Sequence, residues 1–297
     1  MRGVIRSRIR PPTTAITHGS QITTANTGYG AWFDTTRGRS LTLSDLTVQG
    51  GVHFISDFFA GGTSGSPTLV YGYHFTGNIQ VDVNWITFRG CLFDNPPTEL
   101  VGGVYHFGVT LDYCTVDPAT VGPYAMGDQS FSVNRCFVRG NSDGLRVNGG
   151  DTVQNITESY IRLRMADGAD HNDGLQNFGG SGTVNIRRCN ISCDPEGGII
   201  AGAGGPDACF LSADMTSGST FHGEVTDCLL DGGTAVATLR FYDGALTPNI
   251  TYVATGNRFK RTSAFPVDRG SSNTTPTGQI TWSGNVWDDD GSTIPLS

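Results

Sequence analysis

The chain has 297 residues, of which 15% are charged and 42 are glycine, with a net charge of −8 and an isoelectric point near 5.1. The acidic balance argues against a nucleic-acid backbone as partner, and no window approaches the 18 apolar residues of a membrane span. Glu occurs four times against 23 Asp, and Lys once (Lys260) against 18 Arg, beside abundant Thr, Ser and Asn. Such residues serve turns and strands better than helices, so a helical protein is excluded.

Residues 1–40 come first and show no repeat. Four arginines crowd "MRGVIRSRIR", followed by "RPPTT" and "TGYGAWF". This stretch reads as an irregular N-terminal arm, solvated or docked on another protein and suited to attachment. No apolar run follows the arginines, so a secretory signal is not expected.

From residue 41 a pattern recurs: apolar, any, apolar, two spacers, a small residue, any, apolar. Its instances are "LTLSDLTV" (41–48), "ITFRGCLF" (86–93), "VTLDYCTV" (109–116), "FSVNRCFV" (131–138), "QNITESYI" (154–161), "VNIRRCNI" (184–191), "GEVTDCLL" (223–230), "YVATGNRF" (252–259) and "ITWSGNVW" (280–287). The small position falls at Leu46, Cys91, Cys114, Cys136, Ser159, Cys189, Cys228, Asn257 and Asn285. Gaps of 22 and 23 are one coil of a parallel β-solenoid; the gap of 45 hides one further coil, and larger gaps carry inserted loops. Each run is too short to bury its own apolar face, so coils must stack at about 4.8 Å. The expected fold is all-β, a parallel β-helix of about ten coils over residues 41–297.

The aromatic first third repeats Tyr-His-Phe in "YGYHF" (71–75) and "VYHF" (104–107). Strand alternation sends Tyr and Phe to one face and His to the other. Core stacking or capping of the solenoid is the plain expectation, with a sugar platform or a docking face in a homo-oligomer as the rival. Five of the seven cysteines share one slot and read as an interior stack. There is no C-x-x-C pair, so no metal site is expected. Cys193 and Cys209 break the pattern and bracket "DPEGGIIAGAGGPDA", a loop that a disulfide between them could close.

Two similar strings stand one coil apart: "NSDGLRVNGG" (141–150) and "RMADGADHNDGLQNFGG" (164–180). Asp143 lies sixteen residues before Ser159, and Asp173 sixteen before Cys189, so the two occupy equivalent places on adjacent rungs. Leu145 and Leu175 are then expected inside, Arg146 and Gln176 outside, and the row continues through Ser212 and Arg240. The residues "MADGADH" (165–171) form an inserted loop over that ledge.

The match of His171, Asn172, Asp173, Gly174, Leu175 and Gln176, then Gly179-Gly180 and "TVNIRRCNIS", resembles the pectin-lyase-like parallel β-helix proteins. The likeness is closest to a group found in actinobacteria and their phages, often secreted or minor tail proteins; Asn172 departs from its usual Thr or Ala. The resemblance covers roughly 130–297 and implies a right-handed helix and a virion-tail location, with a secreted protein as the alternative. Its implied partners are cell-envelope polysaccharide and, through the arm, other tail proteins.

Asp143 and Asp173, with Asp167 or Asp170 above them and His171 to orient one, are the candidate acid/base set of a glycoside hydrolase. Carboxylates about 5 Å apart suit retention and about 6.5–9.5 Å inversion. Arg146, Gln176, Arg240 and Tyr242 are the candidate ligand contacts. "NSDG" resembles the Asn-Thr-Asp-Gly of polygalacturonase-type hydrolases, but their Asp-Asp pair, Gly-His-Gly and Arg-x-Lys do not follow. Turn architecture alone also explains the repeated Asp-Gly and Asn-Gly. Neither calcium pattern is present, and no cofactor is expected. The reading is therefore a tail-associated, glycan-engaging structural β-helix, with a hydrolase as the alternative.

Overall fold

The computed structural model describes residues 16–51, 53–95, 97, 100–101, 104–118, 124–126, 131–140, 143–147, 153–163, 172–178, 181–193, 206–213, 220–232, 238–241, 249–262, 265–268 and 279–296. Within them, three long sheets of nine, ten and six strands are parallel throughout. The first sheet runs from Thr68–Tyr71 to Ile280–Ser283, the second from Thr47–Gln49 to Val286–Trp287, and the third from Tyr124–Met126 to Val267–Asp268. Each strand pairs with its counterpart in the coils before and after it, which is the connectivity of a parallel β-helix.

Alternation sets what faces inward. In the first sheet Val109 and Leu111 lie between Ile86 and Phe88 on one side and Phe131 and Val133 on the other. All six are at most 1% exposed, while Thr110 and Asp112 between them face out. The inward side chains of successive coils thus form continuous apolar columns, the only core that such short strands can share.

The corner from first to second sheet is one residue in the left-handed region. Gly90, Tyr113, Arg135, Glu158, Arg188, Asp227, Gly256 and Gly284 all have φ between 48° and 66°. A non-glycine residue there costs roughly 1 kcal/mol, and on the outside of the corner charge pairing offsets it. Arg135 donates to Glu158 at 2.6 Å and to the Tyr113 hydroxyl at 2.5 Å, and Arg188 donates to Glu158 at 3.1 Å.

The residue after each corner points inside, and there the expected slot appears. Cys91, Cys114, Cys136, Ser159, Cys189, Cys228, Asn257 and Asn285 are fully buried. The first instance is a correction. Leu43–Asp45 form a 3-10 turn rather than a strand, and the register sets Thr47, not Leu46, opposite Tyr73. The coil hidden in the gap of 45 is "TLVYGYHF", with Gly72 at the corner (φ 71°) and Tyr73 in the slot.

Tyr73 and Phe75 stack at 5.5 Å and Phe75 stacks on Phe93 at 5.0 Å, whereas His74 turns away to Asp94 at 2.9 Å. The first Tyr-His-Phe is therefore core. The second is not: Phe107 is 41% exposed and packs edge-on against Trp85.

Residues 16–32, part of the expected arm, lie along the outside of this corner as a strap. His18 Nε2 meets the Gly256 carbonyl at 3.1 Å, Gly19 donates to Asp227 at 2.7 Å, and Gly28 donates to Arg135 at 2.9 Å. Trp32 then reaches Tyr71, ring centres 6.1 Å apart. The strap thus runs against the stacking direction, from late coils to early ones. Gly19 needs to be glycine, since a Cβ there would stand 1.9 Å from the Cys189 carbonyl. At the other end residues 288–296 fold back, with Ile294 2% exposed and Trp282 donating to its carbonyl at 2.7 Å.

Candidate functional site

The ledge predicted from "SDGLR" and "NDGLQ" lies on the third sheet. Asp143–Arg146 pairs with Asn172–Phe178, Leu145 opposite Leu175 and Arg146 opposite Gln176. Asp143 and Asp173 are therefore one rung apart. Both leucines are fully buried, and the register that pairs Arg146 with Gln176 continues through Leu211, Arg240 and Asp268.

Ser212 does not continue that row. It pairs with Asn177 and Phe241, is fully buried, and shares a 2.9 Å hydrogen bond with the Tyr252 hydroxyl. Ser212 follows Leu211, the residue in register with Gln176, so strand alternation sets it on the inward side with Asn177.

The hydrogen bonds define what the carboxylates do. Asp143 Oδ1 accepts the backbone N–H of Asp173 at 3.1 Å, and Asp173 Oδ1 accepts that of Ala208 at 2.9 Å. Asp173 Oδ2 accepts Gln176 Nε2 at 3.1 Å, and Gln176 Oε1 accepts Arg146 Nε at 3.1 Å. Arg146 Nη2 also lies 3.8 Å from Asp143 Oδ2. Asp173 is fully buried, Asp143 is 3% exposed and Gln176 only 4%, although Gln176 belongs to the outward row.

A general acid must reach a glycosidic oxygen. Two buried carboxylates whose oxygens take the next coil's N–H groups are placed instead to continue the ladder where the strand begins. Arg146, with 31% of its side chain exposed, and the pair Arg240 and Asp268, 3.3 Å apart and 20% and 27% exposed, reach the surface from this row. Asp167, Asp170, His171 and Tyr242 lie outside the described residues.

The interior slot carries chemistry that the pattern alone did not show. Its side chains hydrogen-bond along the axis: Cys114 N–H to Cys136 Sγ at 3.2 Å, Cys136 N–H to Ser159 Oγ at 3.0 Å, and Cys228 N–H to Asn257 Oδ1 at 3.0 Å. Burial pushes the thiols of Cys91, Cys114 and Cys228 well above their ordinary range, so they stay protonated and are poor nucleophiles. Cys193 and Cys209 are also buried thiols, with sulfurs 3.6 Å apart.

A second concave surface, not anticipated from the sequence, lies on the first sheet. A groove of about 290 Å³ is lined by Trp85, Thr87, Thr110, Ser132, Pro67 and Val153, among others. Nothing in the repeat pattern distinguishes these outward positions; the aromatic Trp85 just before a strand was the one available signal. Compared with known proteins, the chain matches no family model, no curated protein and no solved structure.

Proposed function

We propose that this protein is a non-catalytic, glycan-engaging solenoid of an extracellular assembly, a tail-associated component of a phage virion that contacts cell-envelope polysaccharide. The observation that carries the binding half is the ledge itself. Asp143, Asp173 and Gln176 are consumed in ordering one another and the next coil, and they hold the Arg146 guanidinium at the surface of a rigid sheet. Donors fixed on a strand, rather than on a loop, suit recognition of a polyhydroxylated ligand. The virion half rests on the likeness of residues 171–192 to phage-associated β-helices.

The test uses the full chain and purified envelope polysaccharide from the host cell. Binding that Arg146→Ala weakens several-fold, without release of new reducing ends, is the expected result. Steady release of reducing ends that disappears in Asp143→Asn would overturn the non-catalytic reading. Absence of the protein from purified particles, judged by mass spectrometry, would overturn the virion assignment.

A further inference from the structure

The groove on the first sheet lies on a different face from the Asp143/Asp173 ledge and is built differently. Its floor is Thr87, Thr110 and Ser132, and the same outward row continues in register beyond the groove through Asn155 and Asn185. These are hydroxyls and amides without charge. They recur once per coil, at the strand spacing of about 4.8 Å, close to the length of one sugar unit in an extended chain. The row is also internally linked: Asn185 donates to Asn155 at 3.1 Å, and the Asn155 N–H donates to Ser132 Oγ at 3.3 Å.

The row beside it carries charges that are already matched. Arg89 donates to Asp112 at 2.7 Å, Asn134 to the other Asp112 oxygen at 2.8 Å, and Thr157 to Asn134 at 2.9 Å. One rung beyond Asn185 the first row ends its uncharged run at Glu224, which is paired with Arg187 of this second row at 2.6 Å. An anionic ligand lying on the hydroxyl row would meet no excess of positive charge among these residues.

Trp85 closes one side. It holds a φ of 56°, a conformation uncommon for a bulky side chain and worth explaining when found at the rim of a groove. Gly108 occupies the equivalent place one coil on (φ 73°), and any side chain there would collide with the indole, its Cβ standing 2.2 Å from Trp85 Cε3. Phe107 packs edge-on against the same ring, centres 5.7 Å apart. The indole is thus held in one orientation by a missing side chain and a neighbouring ring. Its amphipathic surface suits a partner that is apolar on one side and wet on the other, as a sugar ring is.

We propose that this groove binds a neutral, extended polysaccharide along the coil axis, one sugar unit per rung. A ring face packs on Trp85, and hydroxyls meet Thr87, Thr110 and Ser132 and continue over Asn155 and Asn185. The proposal rests on the glycan-engaging reading above and adds both a second site and a class of ligand.

The experiment titrates the full chain with cellohexaose and mannohexaose, both neutral, and with hexagalacturonate as the acidic counterpart. Binding is followed by calorimetry and by tryptophan fluorescence. The expected result is binding of a neutral hexamer with a change in Trp fluorescence that Trp85→Ala removes. Trp85→Ala weakens binding at least tenfold, and Thr110→Arg, which fills the groove, abolishes it. Thr281→Ala, on the same face three coils beyond Asn185, retains binding, and all variants melt within a few degrees of the parent. Loss of binding in Arg146→Ala while Trp85→Ala and Thr110→Arg bind normally would overturn this groove and leave the ledge reading standing. Preference for hexagalacturonate would overturn the neutral assignment. Failure of the parent to bind any of these hexamers, together with failure to bind envelope polysaccharide, would overturn both.

Discussion

Asp173 donates its backbone N–H to the carboxylate of Asp143, one coil earlier, at 3.1 Å, and its own carboxylate receives Ala208 at 2.9 Å. Two aspartates that look like a catalytic pair in sequence are successive links of one hydrogen-bonded ladder. Asp173→Ala should destabilise the protein by about 1–3 kcal/mol, because the buried Ala208 N–H and Gln176 amide lose their acceptor. Asp173→Asn should cost less, since one oxygen remains, but it sets an amide N–H₂ against either Ala208 or Gln176. Denaturant melts of the two variants check the order; equal stability of Asp173→Ala and the parent would remove the ladder role.

The slot ladder gives a second expectation. Asn257 accepts from Cys228, donates to Val225 at 2.9 Å and to Asn285 at 3.0 Å, and is fully buried. Asn257→Ala should therefore cost about 2–4 kcal/mol, from a cavity together with unpaired backbone groups. Asn257→Cys, which restores the side chain used in neighbouring coils, should recover part of it. The midpoints of chemical unfolding decide this.

The strap should loosen in acid. His18 Nδ1 accepts the Ser20 N–H at 3.0 Å while Nε2 meets the Gly256 carbonyl, an arrangement for the neutral ring. Burial holds its pKa below the ordinary 6.5, outweighing the contacts with Gly256, Asp227 and Asp288 that favour the charged form. A histidine with a depressed folded pKa lends stability that is present above the unfolded value and is lost as pH falls through the folded one. Hydrogen exchange of residues 16–32 should rise as pH is lowered below 6.5, after correction for intrinsic rates. His18→Asn, which can still cap Ser20, should flatten that dependence.

Gly19→Ala tests the strap by sterics instead. A Cβ 1.9 Å from the Cys189 carbonyl cannot be accommodated without lifting the segment, so limited proteolysis should cut within residues 16–32 much faster than in the parent. Unchanged cleavage would show that the strap contributes little to closing this corner.

Cys193 and Cys209, with sulfurs 3.6 Å apart, should be the pair that a disulfide oxidant such as oxidised glutathione closes, while the slot thiols stay reduced. Thiol titration in denaturant after mild oxidation should find two fewer free groups than the seven in the chain, and peptide mapping should join these two residues. A bridge between two slot cysteines instead would overturn this expectation.

Much of the fold was legible because stacking forces chemistry to repeat. The small residue after each corner recurs as Cys, Ser or Asn because its side chain accepts a hydrogen bond from the backbone of the coil before it. Leu46 was misplaced because apolar spacing cannot distinguish a 3-10 turn from a strand. The coil at Thr68–Phe75 was implied by the gap of 45, but its pattern could not be read because Tyr73 fills a slot that elsewhere holds a small residue.

At the ledge, spacing placed Asp143 beside Asp173 correctly, yet it could not tell whether their oxygens would face a ligand or a backbone N–H. Ser212 was assigned to the wrong place because counting back sixteen residues from Cys228 does not allow for a longer connection after this strand: the residue opposite Asp173 is Ala208, twenty before Cys228.

What the sequence determined by itself is the architecture: short alternating runs at a coil-length interval can bury their apolar faces only by stacking in register. What only the tertiary structure decided is where side chains end and whom they meet. The aspartates turn to the next coil, the segment before residue 33 lies back along the corner, and Trp85 comes to stand beside a row of hydroxyls drawn from three coils. Most of those relationships join residues far apart in the chain, 30 positions for Asp143 and Asp173 and 238 for His18 and Gly256, and hydrogen-bond geometry and close packing, rather than periodicity, select them.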